Sequence, residues 1–294
     1  MIVTPEQQPR WNAIIVDTLQ FFTDICEKHH LTYFCCGGTA LGAVRHHGLI
    51  PWDDDIDVMM PRPDYDRFIE LATTAQWEDY ELVTPYNTKD YPLFFAKLCN
   101  RHTTLIEDAD KPCVYGLFID VFPIDGVPDD SHDAQVLEAR YRKTWNKLEA
   151  ISSHNTFAEY IKLLLQPKEW GRFVRKTIAF FFRQPYRRSL LRQLHDISYQ
   201  NDYEKAKNVI NFNGSYGMRE IFPKEWIKDK IPIPFEGITV YLPSGYDHYL
   251  HRIYDDYMQL PPVEKRVGHH HKAYFNLEKR VPDQEAIQQA RCSS

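Results

Sequence analysis

The chain has 294 residues, 43% of them hydrophobic, a net charge of −6 and a pI near 6.1. That length buries a core in one large or two modest domains, and the acidic balance excludes a general nucleic-acid binder, because no global positive field exists to hold a phosphodiester backbone. The sequence holds no apolar run of the length a spanning helix needs, and MIVTPEQQPRW lacks the basic and apolar regions of a signal peptide.

In chain order, residues 5–29 carry apolar side chains at helical spacing through Trp11, Ile14, Ile15, Leu19, Phe22, Ile25 and Cys26. Residues 31–36 read as a short buried strand that ends at Gly37-Gly38. Thr39 then caps a helix over 39–47 whose first turn presents backbone N–H groups to a phosphate. From Asp55 the run Asp-Ile-Asp-Val-Met alternates polar and apolar as a half-exposed strand does, which projects Asp55 and Asp57 from one face. A helix follows over 63–72, then strands over 80–84, 94–99 and 117–122. Asp120 is the one charge in the last of these, a costly placement without a partner, and Asp125-Gly126 reads as a turn.

Residues 131–151 are helical by composition, and 157–203 are helical and basic. Lys162, Lys168, Arg172, Arg175, Lys176, Arg183, Arg187, Arg188 and Arg192 lie there with Phe173, Ile178 and Phe180 to Phe182 between them. This is either a solvated face or a surface that rests on anionic lipid. Short strands over 231–242, a helix over 246–257 and a polar, loosely held tail from Val281 complete the chain. The division expected is a catalytic core over 1–130, a basic helical segment over 131–205 and a strand and helix region over 206–294 that packs on the core. Cysteines 26, 35, 36, 99, 113 and 292 show no C-x-x-C spacing and read as free thiols of a reducing, cytoplasmic compartment.

Chemistry concentrates in Asp53, Asp54, Asp55 and Asp57, four carboxylates within five residues. They repel one another unless a cation or strong donors compensate. An EF-hand loop requires glycine at its sixth position, where this chain has Val58, and a Walker loop requires Gly-Lys-Ser/Thr after the glycines. What survives is a Gly-Gly turn for phosphate and hard oxygen ligands suited to Mg²⁺ or Mn²⁺ bound together with substrate phosphates. Arg45 forks onto phosphate or is an ordinary surface charge, and Lys97 adds a point charge or snorkels at a strand edge. Asp53 and Asp54 are ligands, turn caps or partners of Arg45. Three consecutive imidazoles at 269–271 cannot share one zinc without distortion. His270, after Lys265-Arg266, is a candidate to reach a donor phosphate.

The stretch GGTALGAVRHHGLIPWDDDIDVMMPRPDYDRF, with the later FIDVFPID and the C-terminal Tyr249-Leu, Tyr254, Pro261-Pro262 and Lys265-Arg266, resembles the signature of the LicD family, relatives of the fukutins. The resemblance implies an α/β (α+β) nucleotidyltransferase-like mixed sheet with helical elaboration. It also implies Mg²⁺ held by Asp55, Asp57 and Asp120, with Gly37, Gly38, Thr39, Arg45 and Lys97 on the phosphate side. The activity implied is transfer of phosphocholine, or a similar phosphorylated head group, from a CDP-linked donor to a hydroxyl of a cell-surface glycan precursor, releasing CMP. A lipid-linked acceptor would set the enzyme peripherally at the inner face of the cytoplasmic membrane. Asp120 either completes the metal shell or accepts the acceptor's proton. A choline head group requires aromatic faces, and Trp52, Tyr91 and Tyr115 are near the motif in sequence. The rival readings are a metal-dependent glycosyltransferase that uses a nucleotide sugar and a non-catalytic, metal-dependent glycan-binding protein.

Overall fold

The computed structural model describes residues 1–75, 77–152, 164–165, 170–266, 268 and 272–292, and within 170–198 the side chains other than those of 172–173 and 175–182. The fold is α/β, built on a mixed sheet. Its strands are β1 (Phe34–Cys35), β2 (Asp57–Pro61), β3 (Tyr80–Val83), β4 (Ala96–Asn100) and β6 (Phe118–Val127), in the order β1-β2-β6-β4-β3. β2 and β6 run parallel, and the other neighbours in that order pair antiparallel. β7 (Asn208–Ile210) pairs with the distal end of β6 and with β8 (Ile221–Pro223). A small ladder joins β5 (Thr104–Ile106) to β11 (Tyr274–Asn276), and β9 (Lys230–Phe235) and β10 (Ile238–Pro243) form a hairpin. Its two-residue turn, Glu236-Gly237, has positive φ at both positions, as a tight hairpin turn requires.

α1 (Gln8–Lys28) buries the apolar stripe read from its sequence, and Phe22 meets Tyr33 of the strand entry and Phe68 of α3 (Arg62–Thr74) at ring separations of 4.9 and 5.1 Å. These contacts belong to the main core, which extends over the sheet to Phe235, Val240, Leu250 and Ile253 of the C-terminal region. α4 (Ser131–Ser152) and α5 (Trp170–Ser198) pack on each other around a second core of Leu137, Tyr141, Leu148, Leu190 and Leu194. α6 (Tyr246–Tyr254) presses Tyr249, Leu250 and Ile253 inward. No helix among the described residues is long and apolar enough to cross a membrane, and all six cysteines are free, five of them buried.

Several expectations are corrected. Asp125 and Gly126 form no turn. They continue β6, because Arg62 donates to both Asp125 carboxylate oxygens at 2.6 and 2.8 Å and so satisfies a carboxylate buried in a strand. Gly126 is glycine for a reason: a Cβ there would stand 3.0–3.2 Å from Ala206 and the Asn201 and Asp202 carbonyls. The tail is not loose. α7 (Asp283–Cys292) docks through Ala286 and Ala290, one turn apart, into a third core with Ile106 and Val281. Within the basic segment Arg187 is buried and donates to the Pro85 and Tyr91 carbonyls, while Arg183 donates to the Ser152 carbonyl, so neither faces out. Residues 157–163, Lys168 and the side chains of Arg172, Phe173, Arg175, Lys176, Ile178 and Phe180 to Phe182 lie outside the described residues.

Candidate active site

The central ladder builds the site. Asp57 on β2 sits opposite Asp120 on β6, and Asp120 opposite Lys97 on β4, so three charged residues stand in a row across adjacent strands. The Lys97 ammonium, 1% exposed, donates to Asp120 Oδ1 at 2.7 Å and lies 3.4 Å from Glu107 Oε2. It also sits 3.4 Å from the centroid of the Phe118 ring, a cation–π contact. The Glu107 carboxylate in turn accepts the Tyr115 hydroxyl. Lys97 is therefore a buried counter-ion in the middle of the sheet and does not snorkel at an edge.

Strand β2 begins at Asp57, so Asp53 to Ile56 approach it as irregular chain. Asp53, Asp55, Asp57, Asp120, Lys97 and Glu107 nonetheless line one open cleft of about 1190 Å³. Among the described residues one acidic trio, Asp53, Asp54 and Asp55, has carboxylate oxygens all within 4.8 Å of one another. Asp54 is turned to the back, where Lys272 holds its Oδ2 at 2.5 Å and Trp11 donates to its carbonyl at 2.8 Å. Burial and then the charges of Asp55, Asp120 and Asp53 push Asp57 well above the ordinary carboxylate range, with Lys97 opposing. Burial lifts Asp120 to about 7 against the pull of Lys97. Glu107 goes the other way: burial would raise it, but Lys97 and the Tyr115 hydroxyl hold it below its usual value. Hard carboxylate oxygens that are costly to ionise side by side suit a divalent cation; among the described residues the group close enough to share one is Asp53, Asp54 and Asp55, and it does not include Asp57 or Asp120.

Helix α2 spans Gly37–Arg45, starting two residues earlier than expected, with Cys36 at its N-cap position. Thr39 is no cap. Its buried hydroxyl accepts the Asp57 N–H at 2.8 Å and ties the helix to the first residue of β2. Gly37 has φ +53°, and a Cβ there would stand 3.2 Å from Asp57 Oδ2, whereas one on Gly38 would collide with the Asp53 carboxylate. The Gly37 N–H donates to the Tyr249 hydroxyl at 3.2 Å. Arg45, at the other end of the helix, lines the cleft and donates to the Tyr257 carbonyl at 2.8 Å. His270 lies outside the described residues. Trp52 lines the cleft with Arg266 5.5 Å from its ring centroid, whereas Tyr91 and Tyr115 are buried away from it.

Sequence reading missed Glu107 and Lys272, and it named Tyr249 and Arg266 only as part of the family signature, with no place in the site. Glu107 follows a three-residue strand whose partner is more than 160 residues away, so no local pattern marks it.

An acidic cleft on an α/β sheet, with a buried lysine behind it and a helix N-terminus beside it, has the chemistry an enzyme that handles phosphoryl groups uses. Comparison with known proteins narrows the class. Residues 30–149 match the family described as LicD/FKTN/FKRP, nucleotidyltransferase domain. The lipopolysaccharide cholinephosphotransferase LicD of Haemophilus influenzae is 31% identical over 261 residues, which cover 87% of this chain and 93% of that one. Uncharacterized proteins of Rickettsia typhi and Rickettsia prowazekii are 40% and 44% identical over 59 and 62 residues, about a fifth of each chain. The chain belongs to the LicD family, and it is a phosphotransferase.

Proposed function

We propose that the enzyme transfers phosphocholine, or a closely similar phosphorylated head group, from a CDP-linked donor to a hydroxyl of a lipopolysaccharide-type glycan, with Mg²⁺ or Mn²⁺ in the cleft and CMP as the product. The observation that carries this reading is the row Asp57, Asp120 and Lys97 in register across three strands, in a chain that aligns along most of its length with a cholinephosphotransferase. When bound, the cation supplies Lewis-acid stabilisation of charge on the phosphoryl oxygens. The protein's part is positioning and proton handling. The N-terminus of α2 favours negative charge through its aligned dipoles. Asp120, lifted to about 7, is able to take a proton near neutral pH. The acceptor oxygen bonds to the phosphorus that bears the head group, the bond from that phosphorus to the bridging oxygen breaks, CMP leaves, and the hydroxyl proton passes to the Asp120 carboxylate. Lys97 orients that carboxylate. Arg45, Arg266 and Trp52 offer charge and a stacking face to the nucleotide.

The acceptor is taken to be lipid-linked and the enzyme to rest peripherally on the inner face of the cytoplasmic membrane. Exposed Leu164, Leu165, Trp170, Val174 and Tyr186, followed in the chain by exposed Arg188 and Arg192, support this surface.

The deciding assay incubates the protein with CDP-choline, Mg²⁺ and a glycan acceptor and measures CMP release. Turnover of a nucleotide sugar, with no turnover of any CDP-alcohol, would favour a glycosyltransferase. Metal binding that is lost in Asp57→Asn, with no product from any donor, would leave a glycan-binding protein.

A further inference from the structure

The cleft wall changes character along β4 and β6. Beside the carboxylates and Lys97 it becomes aromatic, with Phe95, Phe122, Trp145 and Leu93 lining the same space. We propose that Phe95 and Phe122, flanked by Trp145, seat the head group of the transferred phosphate and select a quaternary ammonium. This rests on the phosphocholine-transfer reading of the cleft and names the part of it that sets head-group specificity.

The ladder supplies the placement. Lys97 pairs with Asp120 and Ala96 with Val121, so the next step puts Phe95 opposite Phe122. Their ring centroids are 4.5 Å apart with the planes inclined at 53°. Phe122 lies two residues beyond Asp120 on the same face of β6, about 7 Å along from it, and Phe95 lies two residues before Lys97, just ahead of β4. The P–O–C–C–N chain of phosphocholine is shorter than the step from Asp120 to Phe122, and the breadth of the trimethylammonium group makes up the difference. A phosphoryl group held at the carboxylate end thus delivers its nitrogen to the ring pair.

The wall's chemistry discriminates among head groups. A trimethylammonium has no N–H to satisfy and is attracted by aromatic faces. A primary ammonium or a polyol in the same seat gives up hydrogen bonds to water that phenyl rings and Leu93 do not replace. The neutral Asn213 and Ser215 line the same cleft, and its guanidinium groups, Arg45 and Arg266, are carried on segments outside the sheet. Among the described residues the cation nearest the rings is Lys97, whose ammonium lies 5.4 Å from the Phe95 centroid with its charge met by Asp120 and Glu107. Arg45 ends a helix whose rise sets it about 12 Å from Gly37. The rings themselves are largely buried, at 6% and 9% exposure, which fixes their orientation.

The test compares kcat/KM for CDP-choline and CDP-ethanolamine in the parent enzyme, Phe122→Leu, Phe95→Leu and Phe122→Tyr, alongside calorimetric binding of phosphocholine and phosphoethanolamine to each. The parent is expected to prefer choline in both measurements. Each leucine variant should lower that preference by roughly 3- to 30-fold, the range that cation–π attraction spans, and the tyrosine variant should keep it. An unchanged preference in both leucine variants overturns the seat while the transfer reading stands. A parent that binds phosphocholine in a Phe122-dependent way but releases no CMP overturns the transfer reading and leaves the seat. A parent with no choline preference in either measurement overturns the seat.

Discussion

Replacing Lys97 by methionine keeps the length of the side chain and removes its charge from between two carboxylates. In the parent the ammonium is 2.7 Å from Asp120 and 3.4 Å from Glu107. At an effective dielectric constant near 20, the closer pair alone attracts by about 6 kcal/mol. The desolvation of three buried charges offsets much of this, so breaking the cluster is expected to cost about 3–5 kcal/mol. In a chain of this size that lowers Tm by on the order of 10 °C. The loss depends on pH in a definite direction. Asp120 is already raised to about 7 with Lys97 present, so without it the folded-state carboxylates bind protons more tightly still. An acid whose folded pKa exceeds its unfolded value makes stability fall as pH rises between the two. Lys97→Met should therefore be most destabilised near pH 8 and recover toward pH 5, and adding Asp120→Asn should restore part of the loss. Urea denaturation at the two pH values measures both effects. A variant as stable as the parent at pH 8 would refute the assignment of Lys97 as the counter-ion of the site.

Asp55→Ala and Asp57→Ala should each lower kcat/KM by roughly 10²–10³-fold while the far-ultraviolet circular dichroism stays as in the parent; retained activity in both would refute the carboxylate clamp. Glu220, 3% exposed with one carboxylate oxygen lacking a hydrogen-bond partner among the described residues, is raised by burial to about 7. Parent stability should therefore fall as pH climbs from about 4.5 to 7, and Glu220→Gln should flatten that fall and gain about 3 kcal/mol above pH 7, read from denaturation curves across the range. Arg62→Lys should cost about 3 kcal/mol because an ammonium cannot reproduce the two parallel bonds to Asp125, and equal stability to the parent would show that charge alone suffices there. Flotation with anionic and neutral vesicles tests the membrane surface, and equal binding to both, or none, counts against it.

The site was legible where chemistry is local. Asp57 and Asp120 stood out as charges at the edge of or within apolar runs, and both line the cleft. Gly37-Gly38, read as a turn, instead open helix α2, and Asp55, read on the strand, lies before it. The partners that make those residues tolerable were not legible. Lys97 looks the same in sequence whether it snorkels at an edge or pairs in the middle of a sheet, since strand order decides between the two. Asp125-Gly126 has the composition of a turn, and only Arg62, 63 residues earlier, turns it into strand. The helix near the C-terminus was misread because its buried face is alanine, which carries little hydrophobic signal. Thr39 has the chemistry of a cap, but its hydroxyl was claimed by Asp57 across the fold.

The acidic cluster at 53–57 is held from behind and beside by residues far along the chain. Lys272 reaches Asp54 over 218 positions, and Tyr249 reaches Gly37 and Arg45 reaches Tyr257 each over 212. On a ribosome that adds about 5–20 residues per second, the carboxylates emerge roughly ten seconds or more before Lys272 is made. Their repulsion is uncompensated from that side during the interval, so the cleft closes only after nearly the whole chain has been synthesised, the late and slow step that long-range contacts impose on folding. A metal ion or a chaperone that engages the nascent acidic loop would act in that window, and nicking or truncating the chain before residue 272 would be expected to disable the site while leaving much of the sheet intact.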